Sequence, residues 1–248
     1  PGRYTRPFLE QRKREHEARI RRVTEYGPGT QTTVLQLKVK IGSQIVEVDR
    51  TEAFEALLPR YAVADPHIID LTGLGDEEPG AFYQLAADRI RRRTSQLYDT
   101  GSDIERTRHL SVLALAPIPL LVLLGHCRSN KIATDFYQCH RTRKENRWNW
   151  YEGEAAVRFD VRRLRIGSDP GSVGLVLSLS GPFDPATLPT SCDDRHTLYE
   201  LHPADVTPNT GLIRHRDDLD AFRAVYRNLL AEIRRDHPGI RALHLFPA

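Results

Sequence analysis

The chain has 248 residues, 40% of them hydrophobic and 28% charged, and its 36 Lys and Arg against 33 Asp and Glu leave a net charge of +3. This is the composition of an ordinary globular protein, one large domain or two small ones, and it excludes a strongly basic protein that coats nucleic acid. The longest apolar run is shorter than the roughly 20 residues that span a bilayer, and Pro117 and Pro119 interrupt it.

Residues 4–26 read as a charged helix with few apolar positions and alternating signs, either a solvated connector or a nucleic-acid arm. Tyr26-Gly27-Pro28-Gly29 stops it. Val34, Leu35, Leu37, Val39 and Ile41 then predict a strand, and Ile45, Val46 and Val48 a short second one after the turn at Gly42-Ser43. An amphipathic helix is predicted over 52–61 and a short strand over 67–71, followed by Thr72-Gly73-Leu74-Gly75. A long helix over 80–98 carries Phe82, Leu85, Ala86, Ile90 and Leu97 on one face. A buried strand over 110–115 leads through Ala116-Pro117-Ile118-Pro119 into a helix over 120–127, and a further strand covers 134–138. Strands alternating with helices predict an α/β fold with mainly parallel sheets.

The second half repeats this order. Strands over 175–180, 196–201 and 242–246 and a long helix over 217–236 echo the earlier series at an offset of roughly 130–140 residues. We therefore expect a connector over 1–31, a first half over 32–145 and a second half over 146–248. The second copy stops where the first continues to a helix and a strand, so its end is expected to be incomplete. Two such copies are expected to pair about a pseudo-twofold axis. Ligands of open α/β sheets lie outside the carboxyl ends of the strands, so the ligand is expected in one pocket between the halves.

The stretch 110–150 is the most informative. It begins with the most apolar run of the chain and ends among Lys131, Tyr137, Gln138, His140, Arg141, Trp148 and Trp150. Cations neutralise phosphate and indole faces stack on bases, which points to a phosphorylated nucleobase ligand; a core strand with a solvated end is the plainer alternative. Pro117 and Pro119 remove donors from a helix start, so van der Waals contact with a base fits there better than a phosphate cradle, and a rigid turn fits equally. Alternation puts Phe136, Gln138 and His140 on one face and Tyr137, Cys139 and Arg141 on the other, so all of them reach one ligand only if the strand ends by Gln138. Trp148 and Trp150 share a face, as core, as interface, or with one of them stacked on a purine.

Other signals are weaker. The glycines after residue 71 lack the third member of a dinucleotide fingerprint. His215-Arg216-Asp217 resembles a kinase triplet without its accompanying motifs, and an aspartate N-cap explains it better. Three widely spaced cysteines form neither a disulfide framework nor a metal half-site, which fits a reducing cytoplasm. Ten His lack ligand spacing, so no metal site is expected. Arginine dominates the cations, with five Lys; this suits bidentate phosphate recognition or reflects a GC-rich genome. The chain has no Met and no signal peptide, and is expected to be a piece of a longer protein. No nucleophile, base and orienter emerge together, so no catalytic residue is expected.

The strings His109–Leu120, Leu124-Gly125, Ser129-Asn130-Lys131, Tyr137–Arg141 and Trp148-Asn149-Trp150, with the closing Leu243–Ala248, resemble the SAVED domain. The resemblance implies two fused Rossmann-like halves related to the CARF sensor fold, binding a cyclic di- or oligonucleotide in the groove between them. It implies a sensor, not an enzyme, with no cofactor besides that ligand, in the effectors of bacterial anti-phage (CBASS) signalling. Ligand binding would drive self-association and activate a fused effector; the connector's character looks most like the HNH-endonuclease fusions, so DNA would be met only through the absent domain, and no membrane partner is implied. The family motif falls on Lys131, Gln138, Arg141, Trp148 and Trp150, and Ser178, Ser180 and Gly181 look like its pocket floor. Cys139 stands where the family string has Arg, and six residues separate Arg141 from Trp148. Two alternatives remain: a ring nuclease using Lys131 and His140, and a nicotinamide enzyme of the doubly wound class.

Overall fold

The computed structural model describes residues 10, 13, 17, 24–25, 27–62, 64–74, 79–98, 109–128, 130, 132–153 and 157–247. The chain divides into two compact units, Pro1–Asn149 and Trp150–Ala248. Most of the connector helix expected over 4–26 lies outside the described residues; the positions described within it, Glu10, Lys13, Glu17, Thr24 and Glu25, are helical and exposed.

The first unit is built on β1 (Gln31–Ile41), whose residues from Thr32 to Leu37 are buried without interruption. A strand buried on both faces sits inside a sheet, not at its edge. β2 (Gln44–Val46) folds back antiparallel on its end. The two-residue turn between them needs positive φ, which Gly42 supplies at +61°. Then follow α1 (Arg50–Ala56), β3 (Tyr61–Ala62), β4 (His67–Asp70), α2 (Pro79–Tyr98), β5 (His109–Leu113), α3 (Ile118–Cys127) and β6 (Ala133–Tyr137). β4, β5 and β6 are parallel to β1 in the order β4-β1-β5-β6, and β3 pairs with the first two residues of β1. One face of the sheet, with Leu35, Leu37, Val39, Ile69, Leu110 and Val112, packs against Ala86, Ile90 and Leu97 of α2 and Leu120 and Leu124 of α3. On strand positions of the other parity the Thr32 hydroxyl lies 2.8 Å from His109 Nδ1 and 2.9 Å from Ser111 Oγ. Asp135 joins this group, 3.3 Å from Arg60 and 3.5 Å from His109 Nε2. These buried polar groups satisfy one another, and they lie towards the amino half of the sheet.

Three expectations shift. The helix predicted over 52–61 ends at Ala56, and Tyr61 begins a strand instead. Asp49 starts it, its Oδ1 accepting from the amides of Thr51 and Glu52, and Pro59, which has no amide hydrogen, cannot continue it. β5 stops at Leu113, and α3 begins two residues early, at Ile118, because Pro119 fits a first helical turn. Val48 is buried but lies beyond β2.

The second unit contains β7 (Phe159–Arg165), β8 (Ser172–Leu177), β9 (Thr197–Pro203), α4 (Arg216–Asp236) and β10 (Ala242–Pro247). Its sheet runs β10-β8-β9-β7; β8 is parallel to both β9 and β10, and β7 is antiparallel to β9. Val173, Leu175, Tyr199 and Leu201 pack under Leu229 and Ile233 of α4. Val176 and Leu198, on the other face, meet Cys192, Phe183 and Leu188 from the long connection between β8 and β9. The strand predicted over 175–180 is displaced three residues towards the amino terminus, so Ser178 and Ser180 lie in the loop beyond it. β7 was not predicted.

The two units have a strand connectivity in common. In each unit a first strand (β1, β8) lies between a second (β4, β9) and a third (β5, β10), all parallel, and a long helix (α2, α4) joins the second to the third. Leu35 is 2% exposed at the centre of the first unit. Its replacement by alanine is expected to lower unfolding free energy by about 3 kcal/mol; chemical denaturation at constant slope would show it, and a loss below about 0.5 kcal/mol would contradict this core assignment.

Candidate functional site

Ligand sites of open parallel sheets form where the connections leaving two neighbouring strands part company at the carboxyl edge. In the first unit the connection from β1 goes to β4, on one side, and that from β5 goes through α3 to β6, on the other. The parting therefore falls between β1 and β5. Leu113, the last residue of β5, pairs with Tyr137, the last of β6, so the Pro117 turn and Gln138 leave adjacent strands at the same level.

The start of α3 is poor in donors. Pro117 caps it without a side-chain hydrogen bond, Pro119 follows, and the amide of Leu120 is spent on the Pro117 carbonyl at 2.9 Å. Ile118 is exposed there. An apolar surface with a single spare amide receives a ring or sugar better than a phosphate.

Beyond β6 the chain forms a braced loop over 138–149. The His140 amide donates to the Arg147 carbonyl at 2.7 Å, and the Arg143 amide to the His140 carbonyl at 3.1 Å. The Arg143 guanidinium donates to the carbonyls of Asn146 and Asn149, each at 3.3 Å. Arg147 is tied to Glu52 of α1 at 3.2 Å. Asn146 takes the left-handed backbone, φ 51°, which asparagine tolerates better than most residues. Trp148, 3% exposed, and His140 and Tyr137 are buried. Burial pushes the Cys139 thiol up, against the pull of Arg147 and Arg141, so it stays a neutral thiol.

Since β6 ends at Tyr137, the condition set by alternation is met, and Gln138 and Arg141 are no longer bound to opposite faces. Arg141 is exposed and makes no hydrogen bond or ion pair among the described residues, and half-buried Gln138 makes none either. Lys131 lies outside the described residues. Trp150 begins the second unit and is half-buried, as is Pro117, whereas Pro119 is exposed. His140, which the ring-cleaving alternative needs, is 5% exposed.

In the second unit the counterpart of β1 is β8, whose exit carries Ser178, Ser180 and Gly181. Ser178 is buried; its amide donates to the Leu201 carbonyl at 3.0 Å and its hydroxyl to Glu200. Ser180 is exposed and Gly181 half-buried, and neither amide donates to an acceptor among the described residues. Glu200 also accepts from Arg162 of β7. Burial alone would raise its carboxyl, but these two hydrogen bonds and the Arg162 charge outweigh it and hold the group below the usual range, ionised.

The residue capping α4 is His215, not an aspartate as expected. Asp218, one turn on, closes the box: one carboxylate oxygen accepts from the amides of Arg214 at 2.9 Å and His215 at 2.8 Å. Thr72-Gly73 is a tight turn closed by Asp70, which accepts from the Thr72 amide and hydroxyl, and Gly73 has φ +70°. Among the described residues no group of three or more His, Cys, Asp or Glu is placed to hold a metal, and no helix is long and apolar enough to cross a membrane.

Sequence reasoning missed Arg143, Arg147, Glu52, Glu200 and Arg162. Each acts on a partner chosen by the fold. The alternation Phe159-Asp160-Val161-Arg162 was the one local signal, for β7.

In each unit, polar groups without a partner among the described residues lie at the carboxyl edge of parallel strands, the place where open α/β sheets take ligands. The chain belongs to the SAVED family: residues 90–248 match the SMODS-associated and fused to various effectors sensor domain. Domains of this family sense cyclic oligonucleotides and occur fused to effectors. No curated protein matches the chain.

Proposed function

We propose that this chain binds a cyclic di- or oligonucleotide with Arg141 and Lys131 on phosphates, Gln138 on a base edge and a tryptophan against a base. Trp150 is the better stacking candidate, because Trp148 is committed to the core. Pro117 and Pro119 offer their apolar surface to the ligand. Ser180 and Gly181 supply two amides to phosphate at the exit of β8, and the shared strand order supports the view of the units as two CARF-type copies. The observation that carries the reading is Arg141: an exposed guanidinium, without a partner among the described residues, on an internally braced loop at the carboxyl edge of a parallel sheet. Tyr137 and His140, both buried, support that loop.

The ligand acts as a switch only if it binds an assembled form more tightly than a resting one. We therefore assign it a second role, driving self-association that turns on a fused effector, a DNA endonuclease, in anti-phage defence. Calorimetric titration with cyclic dinucleotides and cyclic tri- and tetra-adenylates tests binding, and sedimentation velocity with and without the bound compound tests assembly. Saturable heat for one of these rings and a larger particle in its presence are expected. A folded chain that binds none of them overturns the reading, and unchanged sedimentation on binding overturns the assembly step.

A further inference from the structure

Glu200 is charged, 3% exposed, and engaged on both sides of its own strand. From β9 one carboxylate oxygen takes the hydroxyl of Ser178, at the exit of β8, and the other takes Arg162 Nε of the edge strand β7. A buried carboxylate left with one partner is costly, so such a bridge persists only when both sides are held. The loop that begins at Ser178 is anchored before and after its Ser180-Gly181 step: the Ser178 amide donates to the Leu201 carbonyl at 3.0 Å, Leu179 packs on the core of the unit, and Phe183 and Leu188 pack against Val176 and Leu198. The amide of Leu179 donates to the Leu177 carbonyl at 3.0 Å and the Leu179 carbonyl accepts from the Asn209 amide at 3.0 Å, after which the amides of Ser180 and Gly181 have no acceptor among the described residues. A carboxylate so close to a loop with free amides would repel a phosphate unless it were neutralised. Arg162 provides that neutralisation from the side away from Ser178.

We propose that Glu200 is a positioning residue: through Ser178 it sets the Ser180 and Gly181 amides for a ligand phosphate, with Arg162 cancelling its charge. This rests on the cyclic-nucleotide reading above. Glu200 touches no ligand itself, and its effect runs through the hydroxyl of Ser178, which is 1% exposed and out of a ligand's reach.

The test uses the full chain and the same panel of cyclic dinucleotides and cyclic tri- and tetra-adenylates, with thermal melting of every variant. Ser178→Ala and Glu200→Gln are each expected to weaken binding of the compound the unsubstituted chain takes by about tenfold, the scale of a hydrogen bond to a charged group. Ser178→Thr, which keeps the hydroxyl, is expected to restore it. The double variant Ser178→Ala with Glu200→Gln is expected to bind no worse than either single one, because one linkage is cut twice. The phosphorus resonance of one bound phosphate should move towards its free position in both single variants. Variants that melt lower yet bind with unchanged affinity and unchanged phosphorus spectrum overturn the proposal and leave the cyclic-nucleotide reading standing. A folded chain that binds no member of the panel overturns both.

Discussion

Arg141→Glu is expected to weaken cyclic-nucleotide binding about 100-fold, as a charge-assisted contact is lost and a repulsive charge takes its place. Folding stability should move by no more than about 0.5 kcal/mol, because the side chain is exposed and has no protein partner among the described residues. Arg143→Ala, two residues away, should behave differently. Arg143 holds two carbonyls of the loop, so its loss is expected to lower the melting temperature and the affinity together. Titration calorimetry beside thermal melting separates the two patterns. Wild-type affinity in Arg141→Glu would remove this residue from the binding surface. Steeper salt dependence in the unsubstituted chain than in Arg141→Glu is the accompanying sign of a phosphate contact.

Asp218→Ala is expected to cost about 2–3 kcal/mol, the combined loss of a helix cap and of charge-assisted hydrogen bonds at a buried site. Asp218 is 0% exposed; one oxygen receives the amides of Arg214 and His215, and the His215 ring lies 3.2 Å away. Burial by itself would raise this carboxyl, but the amides and the ring outweigh it and leave the group below the ordinary aspartate range. The sign of the pH effect follows. An aspartate in the unfolded chain titrates near about 4 and the folded one lower. Its contribution is therefore complete above that value and is lost as the pH falls through the folded pKa. Glu200 has the same sign and steepens the same acid limb. Asp218→Asn should recover part of the stability, since its side-chain oxygen still accepts, and should flatten the part of the acid limb due to Asp218. Denaturation at neutral pH and melting between pH 7 and 3 read both effects; an Asp218→Ala chain within about 0.5 kcal/mol of the parent would refute the cap's importance.

The long amphipathic helices and the buried strands were readable because their periods are strong. Ala86 and Ile90 of α2 and Leu229 and Ile233 of α4 are spaced four apart and are buried at each step. β8 was misplaced for a physical reason. The apolar Leu175-Val176-Leu177 runs on into Ser178, Leu179 and Ser180, whose alternation reads as if the strand continued, but the Leu179 amide turns back to the Leu177 carbonyl and ends the ladder. β7 escaped notice because Arg162, Arg163 and Arg165 make it look like solvated loop. At a sheet edge such charges are tolerated, and Arg162 there has a buried partner from β9.

The candidate site divides in the same way. Gln138 and Arg141 were legible as residue types suited to a nucleotide after an apolar strand. Their freedom was not, since it depends on where β6 ends and on which neighbours are occupied. Arg143 and Arg147 look no different from Arg141 in the chain, yet one braces carbonyls within the loop and the other reaches Glu52 in α1. Family membership was also written locally, in the strings between His109 and Trp150 and at the carboxyl end.

By itself the order of residues determined the long helices, most of the strands and their succession, because hydrophobic period and turn chemistry act over a few neighbouring positions. Tertiary structure alone decided the strand ends, the cap on α4 and the split between arginines and serines tied to protein groups and those with no such partner among the described residues. Side-chain hydrogen bonds and ion pairs are made across space, between residues as far apart in the chain as Glu52 and Arg147, and only a folded backbone brings such partners within reach.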